Sequence, residues 1–175
     1  LETVLGLRRR GFFIPYRHAN ATPVPPAAPG YPAVAALFEH AAPEFAALLD
    51  RIEAQATALA AATGPRPKPR LDQSWFPRLD AAAAWTLLRE RAPKRIVEVG
   101  SGHSTRVMAA AAPAAELICV DPAPRAALPA SARHLAEVLS ERHAPLFAAL
   151  ETGDVAFFDS SHVLHPHTDV DLILT

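Results

Sequence analysis

The chain has a single cysteine, Cys119, among 175 residues. That excludes an intrachain disulfide framework and any cysteine-rich zinc site. An excess of one charge is also missing: 17 Lys and Arg face 18 Asp and Glu, for a formal net charge of -1. Without a basic surplus, charge points neither to a nucleic-acid partner nor to an anionic membrane surface. No apolar run approaches the roughly 20 residues needed to span a bilayer. In the opening LETVLGLRRRGFF the arginines follow the apolar residues, the reverse of a secretory signal. A cytoplasmic, soluble protein is expected. Lysine is scarce, with Lys68 and Lys94 set against abundant Ala, Arg and Pro, a composition that suggests a GC-rich bacterial genome. An initiator Met is lacking, and the last residues, Asp171 to Thr175, lie within an apolar segment.

What is present is core-forming material. Half of the residues are hydrophobic and 20% are charged, so a packed domain is expected. The chain changes character near residue 70. Residues 21–32, ATPVPPAAPGYP, read as an extended connector. Residues 33–62 read as a helix, with Pro43 suited to a first turn. Phe45, Leu48, Leu49, Ile52, Ala56 and Leu59 make one apolar stripe along it. Gly64 is the expected helix stop, and GPRPKPR after it reads as a stiff basic linker.

Residues 77–91 then predict a helix, and Arg95 to Val99 a short apolar strand. A helix follows over 104–112, with Ser104 as its N-cap. Leu117 to Val120 predicts a second strand, residues 132–139 hold a weakly marked third, 144–150 a short helix, and Val155 to Phe158 a fourth strand. Strands alternating with helices at this spacing mean βαβ units and a parallel sheet. The loops after the strands then share one edge of the sheet, where such folds bind ligands. Glu98, Asp121 and Asp159 all fall at those carboxyl ends.

Glu98-Val99-Gly100-Ser101-Gly102-His103-Ser104-Thr105 lies between a strand and a helix, the position of a nucleotide-binding loop. Gly100 and Gly102 permit a tight turn and close approach of a ligand. The next helix offers free N–H groups, and Asp121, about 20 residues on, can accept hydrogen bonds from two ribose hydroxyls. A dinucleotide fingerprint would carry a third glycine where Thr105 stands, and an anion at Glu98 would repel two phosphates. Glu98 suits instead a ligand with cationic groups, such as S-adenosylmethionine.

These residues resemble the class I S-adenosylmethionine-dependent methyltransferases. E-V-G-S-G-H-S-T is similar to the family's first motif, with Ser104 replacing its third glycine as in one bacterial subgroup. Asp154-Val155-Ala156-Phe157-Phe158-Asp159-Ser160-Ser161-His162 resembles the subgroup's D-V-L-F-I-D-S-S-H. The segments L-R-R-R-G-F-F-I-P-Y-R and F-P-R-L-D-A are similar to it as well, so the likeness spans nearly the whole chain. It implies an α/β Rossmann-like parallel sheet with an N-terminal helical extension, and methyl transfer from S-adenosylmethionine to a small molecule. It further implies that the loop from Glu98 through Gly100, Ser101 and Gly102 to Ser104 lines the methionine moiety. Asp121 would bind the ribose, Glu141 would stand near the adenine amino group, and Asp159 would face the methyl-transfer centre.

The resemblance also implies a seven-stranded sheet, of which strands in the order 3-2-1-4 are found here. Residues 1–70 go to the extension and linker, and 71–175 fall short of a full fold of this kind. A cofactor-binding half cut short is therefore expected, with its fourth strand open at one edge and inviting self-association.

Residues 159–169 concentrate three histidines with two acids. Carboxylate and imidazole suit a divalent metal, although a complete site would draw further ligands from a next strand. His162 is either a general base or metal ligand, or it orients Asp159 or caps the loop; His165 and His167 read as exposed loop residues. Asp159 and His162 are the catalytic candidates. His103 is expected to point to solvent, and Arg106 to be a surface residue. Gln73, Trp75 and Phe76 either cover the site or form a packed hinge, Arg8, Arg9 and Arg10 read as a solvated helix end, and Cys119 as inert. Two rival functions stand beside methyl transfer: an NAD-dependent oxidoreductase, and a non-catalytic remnant of a methyltransferase.

Overall fold

A computed structural model describes Leu5, Leu7 and residues 31–175. The connector up to Gly30, the triplet Arg8 to Arg10 and most of the L-R-R-R-G-F-F-I-P-Y-R segment lie outside the described residues. The chain divides into two compact units, 1–42 and 43–175.

Helix α1 spans Pro32–Ala62, and Pro43 lies in its interior instead of in a first turn. Proline there donates no backbone hydrogen bond, and the division between the two units falls at this residue. Within the second unit the far end of the stripe packs against the core. Leu59 is buried and Ile52 half-buried against the core, whereas Phe45 and Leu49 are exposed. The expected stiff linker is instead a closed turn: Lys68 N–H donates to the Pro65 carbonyl at 3.0 Å and Gly64 N–H to that of Pro69 at 3.0 Å.

Helix α2 (Arg78–Arg91) carries Asp80 in its first turn and Arg89 and Arg91 in its last, both favourable to the helix dipole. It stops at Ala92, whose left-handed φ of 45° lets its N–H close on the Leu88 carbonyl. Strand β1 (Arg95–Val99), helix α3 (His103–Ala111), β2 (Glu116–Val120), β3 (Ala132–Leu135), α4 (Ala144–Ala148) and β4 (Val155–Phe158) follow. The third strand is shorter than expected. A last helix, α5 (Asp169–Leu174), replaces the apolar tail.

All strands are parallel, in the order β3-β2-β1-β4. Ile96 pairs with Leu117 and Glu98 with Cys119, so these four side chains share one face. Ile96, Leu117 and Cys119 pack there with Ala81, Trp85 and Leu88 of α2 and Val107, Met108 and Ala111 of α3. Val97, Val99, Ile118 and Val120 alternate to the other face and are buried too. Burial on both faces explains why the buried positions of these strands are apolar, Glu98 excepted. Asp154 ties the start of β4 to β1, since its carboxylate accepts the backbone N–H groups of Lys94 at 3.1 Å and Arg95 at 2.9 Å. No helix among the described residues is long and apolar enough to cross a membrane.

Candidate functional site

The loop after β1 is built around Gly100. Its φ is +87°, and a Cβ there would lie 1.9 Å from the Asp159 carbonyl oxygen. Only glycine fits this crossing, where the ends of β1 and β4 meet. The Gly100 N–H donates to the Val120 carbonyl at 3.2 Å, and the Asp159 N–H to that of Val99 at 3.0 Å.

Glu98 lies beneath this loop, fully buried. Its carboxylate accepts hydrogen bonds from the Ser104 hydroxyl at 2.5 Å, the Thr105 hydroxyl at 2.6 Å and the Cys119 thiol at 3.3 Å. The Thr105 hydroxyl in turn accepts the Gly102 N–H at 2.8 Å. Ser104 is therefore not the N-cap of α3: its hydroxyl is committed to Glu98, and Gly102 holds the cap position. Burial raises the Glu98 pKa, against the hydrogen bonds from Ser104, Thr105 and Cys119 that favour the carboxylate. Burial, then the charge of Glu98, pushes the Cys119 thiol up to about 12, so it stays protonated and unreactive.

Asp121 closes the other side. Its carboxylate accepts the Ser101 N–H at 2.6 Å and the Ala123 N–H at 2.7 Å. A cavity of about 520 Å³ opens at these strand ends, lined by Gly100 to Ser104, Asp121, Val138, Leu139, Asp159, His162 and Asp169 among others. That volume suits a small-molecule site. The Ser101 hydroxyl on its wall is buried without a partner. Glu98 and Glu141 are not part of the wall; Glu141 is exposed in a short turn, Glu141–His143, and Val138 and Leu139 stand on the wall instead.

At the cavity rim, His162 Nε2 is 3.0 Å from a carboxylate oxygen of Asp159. His162 itself takes a left-handed φ of 57°. Asp169 braces the turn, accepting the Ser161 N–H at 2.9 Å and also the Ser161 hydroxyl. Burial would raise its pKa, but the hydroxyls of Ser160 and Ser161 and nearby N–H groups lower it overall. Thr168 caps α5 by accepting the Asp171 N–H, and its hydroxyl reaches the carbonyls of Val163 and His165. His165 and His167 are exposed, as expected. Among the described residues, no three of His, Cys, Asp and Glu stand together to hold a metal ion.

Trp75 is exposed on the cavity wall with the Arg125 guanidinium 3.9 Å from its ring centre. Phe76 is buried and meets Phe157 edge-on. The Gln73 side-chain oxygen accepts the N–H groups of both aromatic residues, at 2.8 and 2.9 Å, fixing the turn that separates their fates. Two expectations fail. Arg106 is 2% exposed, with Nε donating to the Ala127 carbonyl at 2.9 Å. His103 is half-buried on the cavity wall, with its Nδ1 enclosed. Asp169 stood out only as a member of the 159–169 cluster and not as a wall residue, and Arg125 was not legible at all, because the loop that carries it has no periodicity.

Residues 97–174, from within β1 to the end of α5, match the family model of a methyltransferase domain. No curated protein and no solved structure matches the chain. The parallel sheet in the order β3-β2-β1-β4 with its flanking helices is a Rossmann-like α/β fold, consistent with that of a methyltransferase domain. The domain match speaks for methyl transfer in general and does not favour an oxidoreductase.

Proposed function

We propose that the cavity binds S-adenosylmethionine and that the protein transfers its methyl group to a small molecule. The observation that carries this reading is one cavity bounded at once by the glycine loop, the Asp121 carboxylate and the Asp159–His162 pair. The donor set fits the cofactor. Each Asp121 oxygen accepts one backbone N–H and retains capacity for a ribose hydroxyl. Ser101 offers an unpartnered hydroxyl, and Gly100 to Ser104 supply a wall of backbone without bulk. Val138 and Leu139 provide an apolar side for an adenine ring. Glu98 acts from below, holding the loop through Ser104 and Thr105 rather than touching the ligand.

When bound, S-adenosylmethionine supplies an electrophilic methyl group. Asp159 accepts from His162 Nε2–H, which would leave Nδ1 of the imidazole to take the proton of a hydroxyl acceptor. The walls hold donor and acceptor in line, the main contribution a protein makes to such a displacement.

Calorimetry on the full chain tests this. S-adenosylhomocysteine is expected to bind one site, NAD to give no heat, and Asp121→Ala to weaken S-adenosylhomocysteine at least tenfold. Binding of NAD alone would sink the proposal.

A further inference from the structure

Next to the cavity, across Trp75 and His103, lies a shallower pocket lined by Arg66, Arg70, Arg78 and His103. Its one acid, Asp72, is bound by Arg70 through two hydrogen bonds of 2.9 and 2.8 Å and is largely exposed. One helical turn beyond His103, on the same face of α3, stands Arg106. Both terminal nitrogens of its guanidinium are buried without a partner, as is Nδ1 of His103. Burial first, then the charges of Arg66 and Arg70, lowers the Arg106 pKa; burial, then Arg106, Arg70 and Arg66, lowers that of His103. Arg66 and Arg70 thus lie within electrostatic reach of both Arg106 and His103.

A buried guanidinium with unmade hydrogen bonds is costly, and gathering further arginines beside it adds repulsion. Arg106 is buried and does not itself line the pocket, and no acid among the described residues pairs with it; the pocket wall carries three arginines against one acid. The fork of donors on a guanidinium matches the paired oxygens of a phosphate or carboxylate. We propose that this pocket receives an oxyanion, phosphate or carboxylate, carried by the methyl acceptor, whose remainder passes Trp75 into the cavity. The inference rests on the preceding reading for the identity of the molecule that bears the anion, not for the anion site itself.

The test is a titration of the full chain, followed by NMR signals of the His103 ring and the Arg106 Nε–H. Inorganic phosphate and acetate serve as separate probes, and the tighter of the two names the oxyanion. Saturable shifts are expected with at least one, and the exposed double variant Arg66→Gln/Arg70→Gln should bind that anion at least tenfold more weakly. S-adenosylhomocysteine affinity should be unchanged in that variant, which also reports that it is folded. Absence of saturation with both anions, or equal affinity in the variant, overturns the proposal. So does displacement of the anion by S-adenosylhomocysteine, which would make the pocket a subsite for the cofactor's own carboxylate. If the anion binds and S-adenosylhomocysteine does not, the anion pocket stands and the methyl-transfer reading falls.

Discussion

Two glycines with left-handed backbone separate steric need from conformational preference. At Gly100 a Cβ would meet the Asp159 carbonyl at 1.9 Å, whereas at Gly153, with φ of +99°, it would meet nothing within 4 Å. Gly153→Ala should therefore lose only about 1 kcal/mol from backbone strain. Gly100→Ala must displace the end of β4 and should lose roughly 3 kcal/mol or more, with cofactor binding gone. Thermal melts of the two variants check the difference, and equal losses would refute the crossing described here. Glu98 makes a second case. Glu98→Ala leaves Ser104, Thr105 and Cys119 without their acceptor and should cost about 3 kcal/mol. Glu98→Gln should cost less, because an amide oxygen still accepts and no charge is buried. Denaturant unfolding of both variants gives the comparison. That Glu98 mattered was legible from its place at a strand end. That it serves the loop from below was not, because strand alternation decides its face only once the helices are docked.

At the scale of elements, the strands were the most legible feature, since burial on both faces demands continuous apolar runs such as Ile96-Val97 and Leu117-Ile118. Helix α5 was missed, although Thr168 followed three residues later by Asp171 is an N-terminal signature that could have found it. Arg106 was missed for a different reason. An arginine in a first helical turn normally reaches water, and only the docking of α3 beside the Ala127 loop encloses it. The clip between β1 and β4 carries a pH prediction. The N–H of Glu151, then those of Arg95 and Lys94, lower the Asp154 pKa below its ordinary 3.8, against a partial opposing effect of burial. A folded pKa below the unfolded one adds stability above the unfolded value, which is lost as pH falls through the folded value. Wild type should therefore lose more melting temperature than Asp154→Ala between pH 6 and pH 3. Parallel curves would show that the clip does not titrate.

For the whole molecule, the edge of the sheet is the feature with a consequence. Among the described residues β4 pairs with β1 alone, and Ala156 and Phe158 on it are exposed. An open apolar edge is a template for pairing. Concentration-dependent association is expected in light scattering, reduced by Ala156→Lys; a monomer at all concentrations would count against it. The sequence by itself determined the order of the strands and of the helices between them, the parallel sheet and the three acids at its carboxyl edge, because periodicity, apolar runs and glycine placement are local properties. Only the tertiary structure decided which of those acids faces the cavity, which arginines gather beside it, and that Arg106 lies buried without a partner. Those outcomes depend on which side chains meet across elements distant in the chain, and burial, unlike periodicity, is not a property of a residue's neighbours in sequence.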